Sequence, residues 1–250
     1  MKSLRVGLAV LACVLALNQR AFSQLVTQDV NVAASVVAAQ QQYAHSFVSP
    51  PQLFSGPEYL DYSKRYHLSE GHQFFETPEK QAGSVYYNNH RFAGLRLGYD
   101  IVLDQVLISP PSSPLTLRLI NEKVRTFTVN GHRFDRLVAD SATSKVIRTG
   151  YYEVLLDSTV RVLAKHSKRL QEHLVQSNLN VQFTQTDKLF IYKAGTYYPV
   201  NKKGAAMRAF ADRGKEMQAY LKDHKLSFGK TQLAPTVVEL ARYYRSLPAH

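Results

Sequence analysis

The chain predicts an α+β fold: a large, curved antiparallel β-sheet, barrel-like or in two layers, with two carboxy-terminal amphipathic helices. Three observations predict it. Residues 83–200 carry runs of alternating apolar side chains, the period of a half-buried strand. The links between these runs are too short for crossover helices, so neighbouring strands run antiparallel. After residue 200 the apolar spacing changes from two to three and four, which is helical. A sheet of about eight to ten strands tends to curl or split into layers.

Residues 1–23 read as a secretory leader. Lys2 and Arg5 open it, residues 6–17 are an apolar run, and Ala21-Phe22-Ser23 places small residues before a cut ahead of Gln24. The apolar run is too short for a bilayer span. Cys13 is the only cysteine, so a chain cut after Ser23 has no disulfide, thiolate nucleophile or cysteine-bound zinc. Val10-Leu11-Ala12-Cys13 also resembles a lipoprotein cleavage box, with Cys13 as the lipidated residue. The apolar residues that follow Cys13 argue against that anchor. Location is therefore read as periplasmic or extracellular, with no transmembrane span in the mature chain.

Residues 24–81 are irregular and joined to the main domain. Ser49-Pro50-Pro51, Gly56-Pro57 and Glu70-Gly71-His72 are turn or loop signals, and residues 31–43 suit a short helix or a first strand. Residues 82–200 form the β region. Leu95, Leu97, Tyr99, Ile101 and Leu103 fall on one face of a long strand, which bends near Asp100 and turns at Asp104-Gln105 into Val106-Leu107-Ile108. Leu115, Leu117 and Leu119 repeat the alternation. Asn130-Gly131 is the strongest hairpin signal. Asp157-Ser158 and Ala194-Gly195-Thr196 mark two more. Residues 201–250 form the helical pair, 204–224 and 231–247, with stripes at Met207, Phe210, Met217 and Leu221 and at Leu233, Val237, Leu240 and Tyr244. Pro235 sits in the first turn of the second helix, where its missing N–H is harmless.

Charge is concentrated at the carboxy terminus. The whole chain has a net charge of +12, with 31 Lys and Arg against 19 Asp and Glu. Residues 188–250 hold 12 basic and 4 acidic residues, whereas residues 24–187 hold 16 and 15. A cationic region of this kind attracts anionic surfaces and polymers. If the first helix buries its apolar stripe, then Lys202, Lys203, Lys215 and Lys222 project outward as a surface that binds anionic envelope lipid or polysaccharide. No nucleic-acid recognition motif is present, so nucleic acid is not a partner.

Chemistry-bearing motifs are sparse. There is no nucleophile elbow, zincin helix, phosphate-binding loop or dinucleotide fingerprint, so no cofactor is assigned. His67, Glu70 and His72 lie close enough in sequence to place three metal ligands in one loop, but no further ligand pair completes a site. His72, Asp100 and Asp104 are the candidate catalytic groups. Asp is also common at turns, where its carboxylate bonds the backbone. The paired tyrosines 86–87, 151–152 and 197–198 place one ring on each face of their strands.

An ordered series of motifs carries a family resemblance. It comprises Leu53-Phe54-Ser55-Gly56-Pro57-Glu58-Tyr59, Gly71-His72-Gln73-Phe74-Phe75, Gly83-Ser84-Val85-Tyr86-Tyr87, residues 97–104 and Gly150-Tyr151-Tyr152-Glu153. With the Lys-rich closing helices, the series resembles a group of uncharacterised exported proteins of Bacteroidetes. The resemblance spans residues 40–247. It implies one structural unit and an exported location, and no activity. The expected function is a non-enzymatic periplasmic or cell-surface binding or structural module. The alternative is an envelope hydrolase or other enzyme with a His/Asp site at His72, Asp100 and Asp104.

Overall fold

Four of the hairpin turns have both central residues at positive φ: Asn88-Asn89, Asn130-Gly131, Gln176-Ser177 and Ala194-Gly195. This geometry matches the right-handed twist of the strands on either side. The computed structural model describes residues 51–248, together with Ser35. The leader, its cleavage site, Cys13 and the 31–43 segment lie outside the described residues, apart from Ser35. Residues 52–248 belong to one compact unit.

The unit holds β1 (Leu68–Glu70), β2 (Gln81–Tyr87), β3 (His90–Asp100), β4 (Gln105–Ile108), β5 (Leu117–Arg118), β6 (Val124–Val129) and β7 (His132–Leu137). Then follow β8 (Gly150–Leu156), β9 (Val160–Lys165), β10 (Lys168–Val175), β11 (Asn178–Gln185), β12 (Lys188–Lys193) and β13 (Thr196–Val200). Three helices end it: α1 (Lys203–Ala209), α2 (Gly214–Asp223) and α3 (Leu233–Ser246). Ten strands form one antiparallel sheet in the order β13-β12-β9-β8-β7-β6-β2-β3-β4-β5. A smaller sheet is ordered β1-β11-β10. There β1, a short strand in the stretch expected to be irregular, runs parallel to β11. The chain between those two strands is long enough to permit a parallel return.

One residue row crosses the large sheet in register. It runs Phe92, Val85, Phe127, Phe134, Glu153, Ala164, Leu189, Val200. Seven members are apolar and one is Glu153. On this face the sheet curls until β3 meets β8, four places away in strand order. The Tyr99 and Tyr151 rings lie 5.9 Å apart, and Lys168 donates its N–H to the Ile101 carbonyl at 3.2 Å. The sheet is not closed, and β5 and β13 are its edges. Glu58 bridges Leu117 on the outer side of β5.

The curl encloses an aromatic core. Tyr99, Phe127, Phe134 and Tyr151 interlock at 4.8–5.9 Å, and Phe75 plugs its end at 5.2 Å from Phe134. The other half of the face is covered by helices. Val162, Ile191 and Val200 pack with Ala206, Phe210, Met217, Val237 and Leu240.

Two expectations about the elements need correction. The long strand stops at Asp100, and Leu103 is half exposed rather than on the buried face. The Asp100 carboxylate accepts the N–H groups of Val102 and Leu103, both at 2.9 Å, which closes a turn. The first helix is also two helices. It breaks at Phe210, a fully buried residue with φ −114° and ψ 27°, and resumes at Gly214 after one 3₁₀ turn. Lys193 stabilises the break by donating to the Ala209 carbonyl at 3.1 Å and to Asp212 at 2.5 Å. It thereby satisfies a carbonyl that the broken helix leaves free.

Candidate functional site

The three candidate catalytic groups bond to different partners. Asp100 is fully buried. Besides closing its turn, it accepts the Tyr59 hydroxyl at 2.9 Å and the Tyr62 hydroxyl at 3.4 Å. Burial raises its pKa against the opposing pull of these hydrogen bonds. Asp104 accepts the Tyr99 hydroxyl and pairs with Lys165, both at 2.6 Å, and takes the Tyr151 N–H at 3.3 Å. This is possible because residue 150 is glycine: a Cβ there would lie 2.0 Å from the Asp104 carboxylate, at a φ of +153°. His72 accepts the Phe74 N–H at 3.2 Å and stacks on the Phe74 ring. Burial and the nearby Lys168 charge lower its pKa. Lys168 in turn donates to the carbonyls of His72 and Phe74, both at 2.7 Å.

The candidate metal ligands lie on and beside β1. His67 and Glu70 are exposed, and Gln182 donates to Glu70 at 3.0 Å. Among the described residues no three His, Cys, Asp or Glu side chains are grouped to hold a metal. Lys202, Lys203, Lys215 and Lys222 are exposed; Lys215 and Lys222 share α2 with the buried Met217 and Leu221, while Lys202 and Lys203 stand at the start of α1.

A charged ladder was unassigned by the sequence analysis. Glu153 is the one charged member of the apolar row and is 8% exposed. One of its oxygens lies 2.6 Å from His132 Nδ1, the other 2.7 Å from His166 Nε2. The ladder extends outward on both sides, with His132 Nε2 3.1 Å from Glu76 and His166 Nδ1 3.0 Å from Asp187. Phe75 stands between the imidazoles, 5.2 Å from His132 and 5.1 Å from His166. Glu76 holds its place at a φ of +50°, a conformation glutamate seldom takes.

The electrostatics follow from the pairing. Burial lowers the pKa of His166, but the hydrogen bonds and charges of Asp187 and Glu153 outweigh it and hold the imidazolium up to about 9. Burial likewise raises the pKa values of Glu153 and Asp187, and their histidine partners bring both below the usual range. All four ring nitrogens face carboxylates. The ladder thus ties β7 and β8 to the residues that follow β9 and precede β12. One cue was legible: a glutamate amid the apolar residues of Tyr151–Leu156. Its partners come from four other places in the chain, and no local pattern joins them.

Glu153, His166 and Asp187 also line an open cleft of about 1170 Å³. Ala164, Leu189 and Val200 continue the row along its floor. Phe228, Lys230, Leu233 and Ala234 line it as well, with Arg208 of α1. No family model, curated protein or solved structure matches the chain.

Proposed function

We propose that the protein is an exported, non-enzymatic binding protein of the cell envelope that engages anionic lipid or polysaccharide through its basic carboxy-terminal surface. The carrying observation is the exposure of Lys202, Lys203, Lys215 and Lys222 beside a helix segment whose Met217 and Leu221 are buried. This amphipathic division leaves the cations free to meet a charged surface. The resemblance to exported Bacteroidetes proteins and the leader-like residues 1–23 support the location. No helix among the described residues is long and apolar enough to cross a membrane. The alternative, a hydrolase at His72, Asp100 and Asp104, requires those groups around one cleft. Their hydrogen bonds go to turns, tyrosines, Lys165 and loop backbone instead.

Cosedimentation with phosphatidylglycerol vesicles and with polygalacturonate tests the reading. Binding should be present at low salt and weaken sharply at high salt, since exposed charges are screened beyond about 8 Å at physiological ionic strength. Each surface lysine contributes on the order of 1 kcal/mol at an anionic membrane. Changing Lys202, Lys203, Lys215 and Lys222 to Gln should therefore lower vesicle binding at least tenfold. Equal binding by wild type and variant would defeat the reading.

A further inference from the structure

The cleft beside the ladder has its own charge pattern. Four cations line it: Lys145, Lys188, Arg208 and Lys230. All four are exposed, and none has an ion pair among the described residues. The two carboxylates in the lining, Glu153 and Asp187, are both bound to His166. The charge left unneutralised in the cleft is therefore positive, and it calls for an anion.

The rest of the lining narrows the class of anion. Leu155, Leu189, Val200, Phe228 and Leu233 give the cleft a hydrocarbon side. A hydroxyl-rich ligand such as an acidic sugar needs neutral donors and acceptors and a stacking ring. Here the only rings in the lining besides His166 are Phe190 and Phe228, and the neutral hydrogen-bonding side chains are three, Gln185, Thr186 and Asn201, outnumbered by the four Lys and Arg and the hydrocarbon side. The volume exceeds the roughly 300–1,000 Å³ typical of small-molecule sites, which leaves room for a long chain. An apolar tail and an anionic head satisfy both parts of the lining.

We propose that the cleft binds a single-chain amphiphilic anion. Its acyl chain lies along Leu155, Leu189, Val200 and Leu233, and its acidic head, a carboxylate or a phosphate monoester, meets Lys188 and Lys230. This site is separate from the lysines of α1 and α2 that carry surface attachment. His166, shared by Glu153 and Asp187, offsets part of their charge, which would otherwise repel the head.

Displacement of 11-(dansylamino)undecanoate from the full chain tests the proposal. Palmitate and lysophosphatidate should both displace the probe, and their relative strength identifies the head. Monopalmitoylglycerol should be at least tenfold weaker than the better anion, and inorganic phosphate should not displace. K188Q/K230Q should weaken the anionic amphiphiles at least tenfold and leave the neutral one unchanged. L233S should weaken all amphiphiles, and unchanged circular dichroism and melting temperature would show that both variants fold. Four-lysine replacement at Lys202, Lys203, Lys215 and Lys222 should leave displacement intact, so this result stands or falls apart from vesicle binding. Failure of the probe to bind, equal displacement by the neutral amphiphile, displacement by phosphate alone, or indifference to K188Q/K230Q would each overturn the proposal.

Discussion

The two halves of one sheet face bury their apolar side chains by different means. Across β3, β2, β6, β7 and β8 the sheet covers itself. Its curl leaves a central space that large rings fill: Tyr99, Phe127, Phe134 and Tyr151, all nearly inaccessible. Across β9, β12 and β13 the residues are smaller and mostly aliphatic, and the covering is helical. Ala205, Ala206 and Ala209 of α1 and Ala241 of α3 are buried there, and side chains this short let a helix approach closely. The self-covered half is filled by rings, whereas the helix-covered half keeps an open cleft. Glu153 marks the join. A curled sheet can fill its interior with its own side chains, while a sheet covered by separate helices leaves seams, and here a seam carries the polar chemistry.

Substitutions in the two halves sharpen this comparison. The largest expected effect is Phe134→Ala, which removes a ring that contacts Phe75, Tyr99 and Phe127. It should cost about 3–5 kcal/mol in urea melts. Leu97→Ala, in the same half, should cost about 2–5 kcal/mol, since Leu97 is fully buried. Its neighbour Arg96 points the other way and donates to the Lys80 carbonyl at 2.5 Å. Arg96→Ala should cost no more than about 1 kcal/mol. Equal losses at 96 and 97 would mean that only one face being buried is a mistaken view of β3. The smallest effect belongs to the helical half's outer surface: Lys215→Gln and Lys222→Gln should each stay within about 0.5 kcal/mol, while vesicle binding changes.

Much of the fold was legible because it is written locally. Asn130-Gly131 and Ala194-Gly195 announce hairpins through residues that accept positive φ. The alternation at Leu97, Tyr99 and Ile101 marks a buried face, and all three are buried. Asn88-Asn89 and Gln176-Ser177 form the same kind of turn without the usual glycine and escaped notice. Strands β10 and β11 escaped for other reasons. Most residues of β10 are exposed, so no buried face marks it, whereas β11 does alternate at Leu179, Val181 and Phe183, with Val181 and Phe183 buried, and that signal was passed over. The insertion of β2 between β3 and β6 is a long-range choice with no local signature. The break at Phe210, a buried residue, falls within an apolar spacing that reads as one continuous helix. The site was the least legible part. Asp100 was correctly weighed as a turn former, but the ladder assembles Glu76, His132, Glu153, His166 and Asp187 from separate strands and loops.

The claim that joins these regions is that the ladder is a charge clasp holding the seam. Its pH dependence tests that claim most directly. The pKa of His166 is raised above its unfolded value to about 9. Its contribution is therefore complete below the unfolded pKa of about 6.5 and is lost as pH rises through about 9. Glu153 and Asp187 have depressed pKa values, so their contribution is present above about pH 4.5 and falls away in acid. The decisive measurement is the unfolding free energy of wild type and His166→Asn from pH 6 to 9.5. Wild type should lose about 3 kcal/mol more than the variant across that window, the size of a shift from about 6.5 to about 9. Parallel profiles for the two proteins would contradict the clasp.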